Sequence, residues 1–272
     1  RKHMDFKSKL ESSRVKNNSL LCVGLDPDLP KLPPHIAKLP HPYFEFCKAI
    51  VDATADLVCA FKPNSAFFEG AGAVGIEQLK QLCDYIKESY PAIPIILDSK
   101  RADIGNTNNG YVKHSFEYLG VDAVTVHPYL GQEALEPFLS QKDKGIIVLC
   151  RTSNPGSGEF QDIVFDGKPL YQVVAKKVAT EWNTHKNCLL VVGATYPEEI
   201  AEVRKIVGSD ITLLIPGVGA QGGDVEKTVK AGGENIMINS SRAILYASSG
   251  EGFAEAARKV AQESKEEINI YR

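Results

Sequence analysis

With 272 residues, 31 Lys+Arg against 34 Asp+Glu and a formal net charge of −3, the chain is long enough to bury most of its surface around one core. Its slightly acidic balance, with no basic stripe and no run of like charges, argues against nucleic acid and anionic membrane as partners. No apolar stretch approaches the roughly 18 residues that span a bilayer.

The start, Arg1-Lys2-His3-Met4, shows no secretory apolar segment. Phe6 to Leu10 is a short amphipathic opening, and Leu20 to Asp26 reads as a buried strand ending in an acid. After a Pro-rich connection (Pro27 to Pro42), Phe44 to Val51 carries helical spacing. Leu57 to Pro63 is a second apolar strand with Lys62 near its end, and Ile76 to Tyr90 a second helix. The third strand, Ile95-Ile96-Leu97-Asp98-Ser99-Lys100, starts apolar and ends charged. Strand alternation puts Asp98 and Lys100 on one face. Asp103 follows in Asp-Ile-Gly-Asn, a turn into the helix that contains Tyr111 to Leu119.

The alternation continues with strand Ala123 to His127, helix Glu133 to Leu139 and strand Ile146 to Cys150. A long polar loop holding Gly156, Gly158 and Gly167 leads to helix Tyr171 to Trp182. Then come strand Leu189 to Gly193, helix Pro197 to Val207, strand Ile211 to Ile215, helix Val225 to Lys230, strand Asn235 to Asn239 and a last helix from Gly252 to Glu267. Continuous apolar strands imply burial on both faces, as in parallel sheets. Eight strand–helix units without a composition break favour an α/β TIM (β/α)8 barrel, a single domain over residues 1–272, above a doubly wound open sheet. Barrel chemistry sits where strands end at their C-termini. Those ends carry Asp26, Lys62, Asp98, Lys100, Thr125, His127, Ser153, Gln221 and Arg242.

Two carboxylates bracketing an ammonium at a buried strand end are costly to assemble and mark a candidate functional cluster. Pro216 to Gly223 holds four glycines directly after strand seven, and Arg242 follows strand eight. In such barrels these two loops often bind phosphate: glycines let backbone N–H groups approach, and Arg adds a bidentate contact. His127 has no second His or Cys at ligand spacing and reads as a hydrogen-bonded mouth residue, so no metal is expected. The six cysteines (Cys22, Cys47, Cys59, Cys83, Cys150, Cys188) form no Cys-x-x-Cys pair. They read as small buried hydrophobes, which fits a reducing cytoplasm.

The chain resembles the orotidine 5′-phosphate decarboxylase family over nearly its whole length. The resemblance rests on Asp98-x-Lys100-x-x-Asp103-Ile104-Gly105-Asn106-Thr107, Gly24-Leu25-Asp26-Pro27-Asp28, Phe61-Lys62-Pro63-Asn64, Thr152-Ser153-Asn154-Pro155-Gly156 and the Pro216 to Gly223 segment. It implies decarboxylation of orotidine 5′-monophosphate to UMP without a cofactor. Lys62, Asp98, Lys100 and Asp103 match the family's charged tetrad, with Lys100 as the proton donor to C6. Asp26 matches the ribose-binding acid. Ser153, Gly219 and Gln221 match contacts to the pyrimidine and the phosphate loop, and Arg242 matches the phosphate arginine. The resemblance also implies a homodimer in which Asp103 and Thr107 reach across the interface.

The residue types suit that reaction. Losing CO2 from C6 leaves a carbanion with little resonance help, and no cofactor motif offers an electron sink. A fixed cation such as Lys100 can stabilise the charge and then protonate the carbon. Two other readings are a Mg2+-dependent sugar-phosphate decarboxylase or aldolase on the same barrel, and a catalytically silent binding barrel. The first is opposed by Lys62, where those relatives carry an acid, and the second by the cost of an unused charge cluster.

Overall fold

The computed structural model describes residues 3–219 and 224–272. Its main sheet has eight parallel strands: β1 (Leu21–Leu25), β2 (Ala60–Pro63), β3 (Ile96–Arg101), β4 (Ala123–Val126), β5 (Gly145–Arg151), β6 (Cys188–Val192), β7 (Leu213–Ile215) and β8 (Ile236–Ser240). They lie in the order β2-β1-β8-β7-β6-β5-β4-β3. Parallel bridges Phe61 to Ile95 and Asn64 to Asp98 join β2 back to β3, so the sheet closes on itself. This is the expected (β/α)8 barrel.

Alternation along the strands sorts side chains into two cores. One alternating set, including Val23, Phe61, Leu97 and Val124, faces the surrounding helices. Cys22, Ala60, Ile96, Ala123, Ile147, Leu189, Leu214 and Met237 fill the barrel interior, with Phe6 and Leu10 of helix Phe6–Asn17 packed against them. Phe6 reaches the start of β5 because Gly145 has no Cβ to block its ring. One period further along the same inward rows stand Lys62, Asp98 and Thr125, two residues beyond Ala60, Ile96 and Ala123. The barrel interior is thus apolar below and charged at its mouth.

Several elements depart from the sequence expectations. Leu57 belongs to a short 3-10 turn before β2. The opening helix runs on to Asn17, where Asn18 ends it in the left-handed conformation at φ 44°. Helix Leu170–Lys177 widens into a π turn over Val178–Trp182. The Gly-rich connection after β5 contains a two-stranded hairpin, Val164–Phe165 with Lys168–Pro169, around Asp166 and Gly167 at positive φ. All six cysteines are buried and free. No described helix is long and apolar enough to cross a membrane.

Candidate active site

The charged centre is built on the end of β3. Asp98 lies between two ammonium groups: Lys62 Nζ donates to Oδ2 at 2.7 Å and Lys100 Nζ to Oδ1 at 2.8 Å. Thr125 donates its hydroxyl to the same Oδ1 at 2.8 Å. Lys62 and Asp98 are almost fully buried, whereas the Lys100 side chain is 48% exposed and faces the mouth. Burial opposes charge on both members of the inner pair, but each partner outweighs it. Lys62 and Lys100 hold the Asp98 carboxyl below the usual carboxylate range, and Asp98 with Asp26 holds the Lys62 ammonium above its ordinary value.

Simple alternation does not account for Lys100. Leu97 pairs with Val124 and Arg101 with Val126, so four steps on β3 face two on β4. The extra length bulges out, and Lys100 takes a left-handed φ of 47°. Its N–H donates to Thr125 Oγ1 at 2.9 Å, which pins the bulge to β4. Such a conformation costs a non-glycine residue about 1–2 kcal/mol. Here it folds Lys100 back over Asp98 instead of carrying it up the strand. Thr125, which sequence reasoning noted only as a polar strand end, therefore holds both the carboxylate and the bulge.

Asp26 follows β1 beside this group. Gly24 leaves room for the Ser241 hydroxyl, which accepts from Asn239 Nδ2 at 3.2 Å. Burial pushes the Asp26 carboxyl above its ordinary value and Asp98 adds to this, while Lys62 and Ser241 oppose it. Its Oδ1 is buried without a hydrogen-bond partner among the described residues. A buried acceptor in that state is a ready site for a ligand hydroxyl. Ser241 carried no motif signal in the sequence beyond standing next to Arg242.

Among the described residues, the remaining candidates make no hydrogen bond to the centre. Asp103 lies in the turn after β3, where its Oδ1 accepts from the Ile104 N–H at 2.6 Å. Asn108 bonds both Asp103 backbone groups and the Ala134 carbonyl, so the turn is rigid. Among the described residues Asp103 makes no ion pair with Lys62 or Lys100, whose partner is Asp98. Thr107 is exposed on the following turn. Ser153 packs against Gly193, where a Cβ would clash with it. Its neighbour Thr152 is held at both N–H and hydroxyl by Gln161, a residue with no sequence signal. A cavity of about 590 Å³ opens there, lined by Thr152, Ser153, Gly158, Gly193 and Tyr196. His127 Nε2 lies 3.2 Å from the Ala102 carbonyl, as a hydrogen-bonded mouth residue.

After β7, Gly217 and Gly219 take φ of 91° and 76°, a conformation that favours glycine. Gln221 lies outside the described residues. Arg242 is exposed at the first position of helix Arg242–Leu245 after β8. No cluster of three or more His, Cys, Asp or Glu suited to a metal occurs among the described residues. A divalent ion at Asp98 would also meet two ammonium groups within 2.8 Å of the carboxylate.

Fold and site define a closed parallel (β/α)8 barrel with an alternating cation–anion–cation group at its C-terminal mouth. A family model described as orotidine 5′-phosphate decarboxylase / HUMPS matches residues 19–263. The orotidine 5′-phosphate decarboxylase of Ralstonia pickettii (strain 12J) is 56% identical over 273 residues, covering 99% of this chain and all of the relative. The solved OMP decarboxylase of Leishmania donovani matches with a TM-score of 0.86 at 35% identity, covering 98% of both chains. The UMP synthase of the same organism matches with a TM-score of 0.88 at 37% identity, and this chain spans 57% of its length. The chain belongs to the orotidine 5′-phosphate decarboxylase / HUMPS family.

Proposed function

We propose that this chain decarboxylates orotidine 5′-monophosphate to UMP, the step of pyrimidine nucleotide synthesis for which its relatives are named, with Lys100 as the central group. The observation that carries the reading is the Lys62–Asp98–Lys100 array. It keeps one lysine head at the mouth, aimed by its 2.8 Å bond to Asp98, in a chain of this family.

In this reading the C–C bond between C6 and the carboxylate breaks, and CO2 leaves. The electron pair stays on C6, where the Lys100 ammonium faces it and then delivers a proton. Asp98 stays ionised because its two lysines hold it so, and its hydrogen bond keeps Lys100 folded back over the site. A carboxylate in that place also repels the substrate's own carboxylate, an effect that acts on the ground state. Asp26, with its free buried acceptor, receives a ribose hydroxyl. Ser153 meets the pyrimidine. Gly219, Gln221 and Arg242 take the phosphate, whose binding energy, remote from C6, serves to close loops and exclude water.

The active unit in this reading is a homodimer. Asp103 leaves its own barrel's centre unpaired with either lysine, which supports its contribution, with Thr107, to the partner subunit's site. No cofactor is required by the roles assigned. The test is the absorbance change on converting orotidine monophosphate to UMP, run with and without EDTA. Equal rates are expected. Loss of activity in EDTA and its return with Mg2+ would move the assignment to the sugar-phosphate branch of the family.

A further inference from the structure

We infer that Tyr246 is a positioning residue that aims Asp26 by tying the loop after β1 to the segment that carries Arg242. The inference rests on the reading that Asp26 faces the nucleotide. Tyr246 Oη donates to the Asp26 carbonyl at 2.6 Å and accepts from the Asp28 N–H at 2.9 Å. One hydroxyl thus clamps the loop on both sides of Pro27. The Tyr246 N–H bonds the Arg242 carbonyl at 3.0 Å, so the hydroxyl is referenced to the Arg242 backbone. The ring cannot swing freely: it stacks on Phe46 at 5.8 Å and 9°, and Phe46 stacks in turn on Phe253 at 5.4 Å.

The Asp26 side chain needs this external support. Its Oδ1 is buried without a hydrogen-bond partner among the described residues. Tyr246, which holds the Asp26 backbone, and Ser241, which fills the space beside Gly24, both come from the stretch after β8. The carboxylate next to Lys62 is therefore positioned by the same short segment that presents Arg242. Grip on the phosphate and aim of the ribose acid share one rigid piece of backbone, which is how remote binding energy can reach the reacting end.

The test is a double-mutant cycle on kcat and KM for orotidine monophosphate, using the full chain: unmodified, Tyr246→Phe, Asp26→Asn and the double variant. Tyr246→Phe keeps the ring stack and removes only the two hydrogen bonds. The expected loss in kcat/KM is about tenfold, or ~1.4 kcal/mol. In the Asp26→Asn background the same change should cost less than about twofold, because the group it aims is already gone. Fully additive losses, or unchanged kinetics with only a lower melting temperature, would overturn the role of Tyr246. Absence of turnover in the unmodified chain would instead defeat the function on which the inference rests.

Discussion

Replacing Lys62 with Met tests the electrostatics of the centre most directly. The substitution keeps much of the side-chain volume and deletes the 2.7 Å contact to Asp98 Oδ2. At an effective dielectric constant of about 20, opposite charges at that distance attract by about 6 kcal/mol. Part of this is returned, because Lys62 no longer has to be desolvated. The net cost of leaving a buried charge without its partner is about 3–5 kcal/mol. The low end applies here, because Asp98 retains Lys100 and Thr125, both at 2.8 Å.

The loss should depend on pH in a defined direction. In the unmodified chain the folded-state pKa of Asp98 lies below its unfolded value. Its stabilising contribution is therefore complete above about pH 3.9 and is lost as pH falls towards the folded value. Without Lys62, burial is opposed by Lys100 and by hydrogen bonds alone, so the Asp98 pKa climbs. Protonation then relieves the variant as the solution is acidified. Urea unfolding at fixed protein concentration, near pH 7 and near pH 4.5, should show the gap between the two proteins widest at pH 7. A gap under about 1 kcal/mol at pH 7, as for an exposed pair, or one that widens on acidification, would refute the account.

Lys100→Ala should abolish turnover while some nucleotide binding remains; a rate above about a tenth of the unmodified value, under 1.4 kcal/mol of barrier, would rule Lys100 out as proton donor. Arg242→Ala should lower kcat/KM for the nucleotide by about 2–4 kcal/mol, as for a charged hydrogen-bonding group left unpaired. Unchanged kinetics at low substrate would show that the phosphate binds elsewhere. Lys62→Ala and Asp103→Ala proteins should each be nearly dead, yet mixing them should restore up to about a quarter of full activity, since half the dimers are mixed and carry one complete site. If mass measurements confirm subunit exchange and no activity returns, Asp103 acts within its own chain.

The barrel itself was legible in the sequence because each buried strand is a local apolar run and eight of them alternate with helical spacing. The charge cluster was legible for a related reason: Lys62, Asp98 and Thr125 continue the inward rows of Ala60, Ile96 and Ala123, so a period of two suffices to place them. The Asp98, Lys62 and glycine-loop segments also carry the family motifs, which belong to the chain before it folds.

Tertiary structure decided what depends on neighbours distant in sequence. Period two put Lys100 on the face of Asp98, but the contact arises from a bulge with Lys100 at φ 47°. The bulge forms because β4 offers Thr125 as an anchor, a cross-strand hydrogen bond that no local pattern encodes. Gln161 reaches back nine residues to hold Thr152, and Tyr246 reaches 220 residues back to the Asp26 carbonyl. These are ordinary polar residues whose roles come only from what the closed barrel brings beside them. Asp103 stands in between: its motif is local, but the turn that keeps it apart from the two lysines is set by Asn108 and Ala134, and so by the packing of the next helix.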